Sequence, residues 1–184
     1  MHYLHKILVY IPDAVSDSDS HDRNDMTVKI RDHAESETES FYEDVYDWRE
    51  TSTAGRWQNS YPQNVIYAAD DVEFFIRELK SCVNDQKVVV EQLMRDLKKD
   101  IGTDLEDITK KIWAMKKGYG EDIGKFNVIP YMFYKLASLL YGKYRCDSYF
   151  YNTHDYTSRL YDSDIEAVKE NPEDWAIVLF DNHN

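Results

Sequence analysis

Two short patterns carry the residue types needed for proton transfer. His154-Asp155 and Asp181-x-His183 each set an imidazole beside a carboxylate, the combination of a general base with an orienting group. If the last strand lies near the segment around His154, both patterns meet at one sheet edge. The alternative is a pair of surface histidines near turns. Trp48, Arg49, Arg56 and Trp57 form a second cluster, within ten residues of one another. A guanidinium can stack on an indole or grip an anion in a fork, which suits a nucleotide or phosphate pocket. The same residues suit a tryptophan-pinned loop whose Gly55 permits a tight backbone approach. The packing role is the stronger of the two, because aromatic anchors usually serve packing.

Other motifs fall short. Asp17-Ser-Asp19-Ser-His21-Asp22 opens like a calcium loop, but the sixth position is not Gly and Val28 stands where a bidentate Glu is required. Gly118-Tyr-Gly120 with Gly124 has the wrong spacing for a dinucleotide fingerprint, and no strand precedes it. Cys82 and Cys146 lie far apart and outside any zinc-ligand spacing. Both read as reduced and buried, in a cytosolic protein. No cofactor is expected.

The charge map is the strongest signal. Thirteen acids lie between Ile11 and Glu50, opposed by Arg23, Lys29, Arg31 and Arg49, so this stretch nets −9 of the whole-chain −13. From Lys80 to Lys117 the balance is +2, and from Arg145 onward it is −6. Such a surface repels nucleic acid and attracts basic protein grooves. A direct nucleic-acid binder needs a basic face, and only the central helices offer one. Fifteen Tyr and four Trp supply side chains suited to both cores and contact surfaces.

These groups need a scaffold. At 184 residues the chain reads as a single domain over 1–184, with residues 84–143 a helical insertion or subdomain. Lys6–Ile11 is a short buried strand closed by Pro12, and Asp13–Asn24 a mobile loop. A helix is expected over Glu35–Tyr46, then an ordered loop or short strand over Trp48–Tyr61 and a strand at Asn64–Ala68. Asp70 or Asp71 caps a helix with Val72, Phe75, Ile76, Leu79 and Val83 on its buried face. Val90, Leu93, Leu97 and Ile101 mark a further amphipathic segment, Leu105 to Met115 another, and Ile123–Tyr141 a well-buried helix. Ser148–Thr153 and Tyr156–Leu160 read as strands, with a hairpin around Thr153-His154-Asp155. Asp162–Glu170 reads as a short helix, and Trp175–Phe180 as a strand buried on both faces. The order fits an α+β fold: a small sheet with helices packed on one face and a central helical insertion. Nothing approaches a membrane span, and the apolar run at Ile7–Ile11 is too short for a secretory signal.

Ile7–Ile11, Asp47-Trp48 with Gly55-Arg56-Trp57, Asn64–Ala68 and Trp175–His183 together resemble a group of uncharacterised small proteins common in bacteriophage genomes. Those proteins carry an N-terminal apolar strand, an Asp-Trp…Gly-Gly-Arg-Trp segment, and a C-terminal strand ending in Asp-x-His. The similarity covers the outer half of the chain and skips the central helices. Ala54 stands where the first Gly of the pair would be. The resemblance implies a phage context and a ferredoxin-like sheet, and no known reaction.

These readings converge on a non-enzymatic, protein-binding inhibitor in the host bacterial cytoplasm. Its target would be a protein or ribonucleoprotein of a bacterial nucleic-acid-based defence, such as a CRISPR effector nuclease. The acidic surface would occupy a groove that normally holds a nucleic-acid backbone, with no direct nucleic-acid or membrane contact. Glu35, Glu37, Glu39, Glu43, Asp44 and Asp47 would supply the charge, and Tyr42 and Tyr46 the aromatic contacts. The alternatives are a small-ligand or nucleotide binder built around Trp48, Arg49, Arg56 and Trp57, and a self-assembling phage component.

Overall fold

The computed structural model describes residues 2–15, 22–40, 48–101, 104, 106, 109–110, 132–137, 139–140 and 149–183. Two nine-residue strands form its spine: β1 (His2–Tyr10) and β5 (Trp175–His183) pair antiparallel along their whole length, from His2↔His183 to Tyr10↔Trp175. The apolar runs Ile7–Tyr10 and Trp175–Phe180 dictate this, being β-branched and aromatic-rich. β1 reaches further back than expected, to His2. Ile11 instead opens a single helical turn, α1 (Ile11–Ala14), with Pro12 in its first turn, where the missing N–H costs nothing.

Three shorter strands complete a five-stranded mixed sheet. β4 (Tyr149–Asn152) runs parallel to β1, while β2 (Trp48–Glu50) and β3 (Val65–Tyr67) both pair antiparallel with the other side of β5. The region expected to strand at Tyr156–Leu160 is a turn instead. Tyr156 takes φ +51°, and one antiparallel bridge joins Asn152 to Thr157, so the chain does double back around His154.

Side-chain alternation sorts β1 and β5 onto two faces. Leu4, Leu8, Ile177 and Leu179 meet Phe75, Leu79 and Cys82 of α3 (Val72–Ile101) and Ile165 and Val168 of α4 (Asp162–Glu170). Ile7, Val9, Val178 and Phe180 meet Ile30 and Ala34 of α2 (Arg23–Glu37). Helices therefore cover both faces of the sheet rather than one. The reason lies in the strands: every residue from Trp175 to Asn182 is buried, so one-sided cover would leave half of β5 in water.

α2 begins well before the expected helix Glu35–Tyr46 and ends at Glu37; Glu39 and Ser40 are again helical, and the rest of the expected span, Phe41–Tyr46, lies outside the described residues. The Asp22 side chain accepts the Asn24 N–H at 3.0 Å and caps the helix start. Ile30 and Ala34, four residues apart, dock it, while Val28 points to solvent. At α3 the cap is Asp71, whose side chain accepts the Phe74 N–H at 2.9 Å. The helix then runs unbroken for 30 residues, about 45 Å. Its far half meets residues of the following segment: Leu97 contacts Met132, and Val89, Val90 and Leu93 pack around Leu139 and Tyr149. No helix among the described residues is long and apolar enough to cross a membrane.

Candidate functional site

Segments far apart in the chain meet at one end of the β1–β5 ribbon. β2 sets Trp48 beside His183, Arg49 beside Asn182 and Glu50 beside Asp181. The Asp181 side chain is 1% exposed and accepts two hydrogen bonds, from the Arg56 backbone N–H at 2.9 Å and from His2 Nδ1 at 2.9 Å. Gly55 lies directly against it, in the left-handed region at φ +53°; a β-carbon there would sit 2.5 Å from the Asp181 Cβ. The His2 ring is also 4.8 Å from that of His183 and 6.1 Å from Trp48.

The carboxylate thus orients a histidine, but not the one two residues along its own strand. Pleating puts Asp181 and His183 on one face about 7 Å apart, and the adjacent strand brings His2 closer. The second pattern is also rewired: His154 Nδ1 meets Asp13 at 2.7 Å, while Asp155 accepts from Asn152. Nor do the two patterns meet. His154 packs against Tyr10 and Trp175, at the opposite end of the ribbon from His2, and nine residues of strand span about 27 Å. No group of three or more His, Cys, Asp or Glu among the described residues is arranged to hold a metal ion.

Trp48, Arg49, Arg56 and Trp57 do not line one pocket. Trp48 is 43% exposed beside His2. Arg49, the next residue along the strand, projects to the opposite face, where its guanidinium lies 5.2 Å from the Phe180 ring and donates to Thr38 and the Glu35 carbonyl. Trp57 packs on the α3 side of the sheet, and Arg56 contributes its backbone N–H to Asp181. The short segment is a loop pinned from both faces.

The acidic stretch is partly in view. Asp32, Glu35, Ser36 and Glu39 line a cavity of about 430 Å³, with Arg49 at its base. Asp32 and Glu39 are exposed, and Glu35 and Glu37 are half-buried. Glu35 forms a 3.5 Å ion pair with Arg49, whose side chain is 6% exposed. Glu37 helps to raise the Tyr151 hydroxyl pKa, an effect due first to burial. Tyr42, Glu43, Asp44, Tyr46 and Asp47 lie outside the described residues.

One cluster escaped the sequence reading. Lys6, in the middle of β1, is 2% exposed and donates from Nζ to Glu78 Oε2 and Ser81 Oγ, both at 2.9 Å. Tyr61 donates to the same Glu78 oxygen at 2.7 Å. Cys82 sits beside this network, fully buried, and burial pushes its thiol up to about 12. The signal was a lone charge inside an apolar strand, which must find a partner when buried. Cys146 lies outside the described residues. No protein-family model, curated protein or solved structure matches the chain.

Proposed function

We propose that the chain is a non-enzymatic protein-binding inhibitor that sets its acidic α2 face into a basic groove of its target. One observation carries this reading: Asp32 and Glu35, three residues apart on α2, and Glu39, just past its C-terminal cap, border a single groove. The arginine in that groove is turned inward to Thr38 and Glu35, which leaves the outer carboxylates to a partner. A docked helix holds such charges in place before binding, which lowers the ordering cost.

The partner class follows from charge and from the resemblance to phage-encoded proteins. It is a nucleic-acid-guided effector of bacterial defence, met in the host cytoplasm, whose guide or target channel is lined by Lys and Arg. The finer reading of the sheet as ferredoxin-like belongs to the same proposal. Its support is a β1 flanked by antiparallel β5 and parallel β4, with α3 and α4 together on one face.

The test is binding of the purified chain to guide-free and guide-loaded effector nucleases, read by biolayer interferometry at two salt concentrations. Association with the guide-free form should slow about tenfold or more from low to physiological salt, as steered encounters do. The triple variant Asp32→Asn/Glu35→Gln/Glu39→Gln should weaken it by a similar factor. Undiminished binding by this variant, or binding indifferent to salt and guide, would remove the charge-mimicry reading.

A further inference from the structure

On the β3 side of α2 lies a second cleft, of about 360 Å³, whose charge is opposite to that of the molecule. Arg23, Thr27 and Arg31, spaced four apart on α2, form one wall; Ser52 and the Pro62–Val65 segment form the other. No carboxylate among the described residues lines it, in a chain of net charge −13. Two acids that touch its lining residues are already engaged. Asp70 holds the Arg23 guanidinium in a two-pronged ion pair, with Arg23 stacked 4.3 Å over the Tyr67 ring. Glu50 accepts from the Ser52 and Thr53 backbone N–H groups at 2.8 and 3.0 Å, and from the Ser52 hydroxyl.

The walls are built before any ligand arrives. Asn64 ties the turn to its neighbour by donating to the Thr51 carbonyl at 2.6 Å, and the Thr27 and Tyr67 hydroxyls meet at 2.8 Å. Against this fixed frame, Asn24, Arg31 and Gln63 present a guanidinium and two carboxamides to the cleft, with no side-chain partner among the described residues.

We infer that this cleft binds the phosphate group of a small phosphomonoester. The Arg31 fork matches two phosphate oxygens, and the Asn24 and Gln63 amides supply neutral donors for a third. A phosphate offers a third oxygen and a second negative charge, which a carboxylate lacks. The cavity far exceeds a bare phosphate and has room for the remainder of a small ester. The site is separate from the acidic groove on α2, so either can stand without the other.

The experiment is a two-dimensional ¹⁵N NMR titration of the full chain with inorganic phosphate, glycerol 3-phosphate and acetate, at constant ionic strength. Saturable shifts are expected at the side-chain signals of Asn24, Arg31 and Gln63, with glycerol 3-phosphate tighter than phosphate and acetate weakest. Arg31→Ala, which suits a helix, should weaken binding about tenfold, the scale of one charged hydrogen-bonded group. Arg31→Lys should fall between, and Arg95→Ala, on the distant exposed face of α3, should leave binding unchanged. Shifts that fail to saturate, that spread evenly over exposed basic residues, or that persist at full strength in Arg31→Ala would overturn the assignment. The wild-type-like spectrum of the variant serves as its own check of folding.

Discussion

The Asp181 carboxylate accepts the backbone N–H of Arg56, 125 residues earlier in the chain, at 2.9 Å. That one bond joins the last strand to the loop that follows β2. It also explains the spacing of Gly55-Arg56: the glycine lets the backbone come down onto the carboxylate, and the next N–H is aimed at it. The Trp48–Trp57 segment is therefore organised around a buried anion of the protein itself.

Gly55→Ala should be among the most disruptive single-methyl changes in the chain. The new β-carbon meets the Asp181 side chain, and φ +53° disfavours any L side chain. A loss of about 2–4 kcal/mol in urea unfolding is expected. A loss under about 0.5 kcal/mol would mean that the loop is not held against Asp181.

Asp181→Ala should cost about 1–3 kcal/mol, because the Arg56 N–H loses its acceptor. The His2 ring should lose its fixed orientation as well, since Nδ1 is the atom bound to the carboxylate. The His2 ring signals in ¹H–¹⁵N spectra report the tautomer directly. An unchanged tautomer would show that the strand, not Asp181, sets the ring.

Glu78→Gln should cost about 3 kcal/mol by leaving the Lys6 ammonium buried without its counter-charge. It should also change the acid limb of the stability curve. Burial alone would raise the Glu78 pKa, but hydrogen bonds from Lys6 and Tyr61 outweigh it and hold the carboxyl below its ordinary 4.5. A carboxyl depressed in the folded state stabilises above the unfolded value and loses that contribution as pH falls through the folded one. The wild type should therefore weaken below about pH 4.5, and the variant should lose stability less steeply there. For Lys6 the sign is opposite. Burial lowers its pKa, yet Cys82, Glu78 and Tyr61 carry it above 10.5, so its contribution is complete below 10.5 and is lost at more alkaline pH. Parallel acid limbs in the two proteins would refute the pairing.

Cys82 should resist iodoacetamide at pH 8 in the native protein and react on unfolding. Its thiol is buried and pushed up to about 12, so the reactive thiolate is scarce. Peptide mapping after alkylation distinguishes it from Cys146. Rapid native labelling of Cys82 would place it at the surface.

Much of the frame was legible because burial writes itself into composition. The run Trp-Ala-Ile-Val-Leu-Phe specified a strand covered on both sides, and Asp162–Glu170 carried its own start and periodicity. The same run already implied helices on both faces, a consequence missed because α2 offers so thin an apolar stripe. Two small contacts, Ile30 and Ala34, suffice to dock it once the sheet exists, and no local pattern encodes that. The continuity of α3 was obscured by the polar Asn84-Asp85-Gln86-Lys87, which a helix leaving the sheet can expose without breaking. The acidity of this stretch could be counted in the sequence, but the groove that Asp32, Glu35 and Glu39 border depends on how α2 sits beside Arg49. The pairing of His2 with Asp181 could not be read there, because the partners are 179 residues apart and only strand register brings them together.

That register has a consequence for synthesis. β1 emerges from the ribosome well before its full-length antiparallel partner, β5. At about 5–20 residues per second, the delay is roughly 10–30 s. Throughout it, one side of β1 lacks the strand that satisfies its backbone and completes both core layers, while β4 can reach only the other side. Folding of the sheet is therefore committed to a long-range closure. A nascent chain stalled before Trp175 would display a long apolar strand edge, open to chaperones or to β1 of a neighbouring copy.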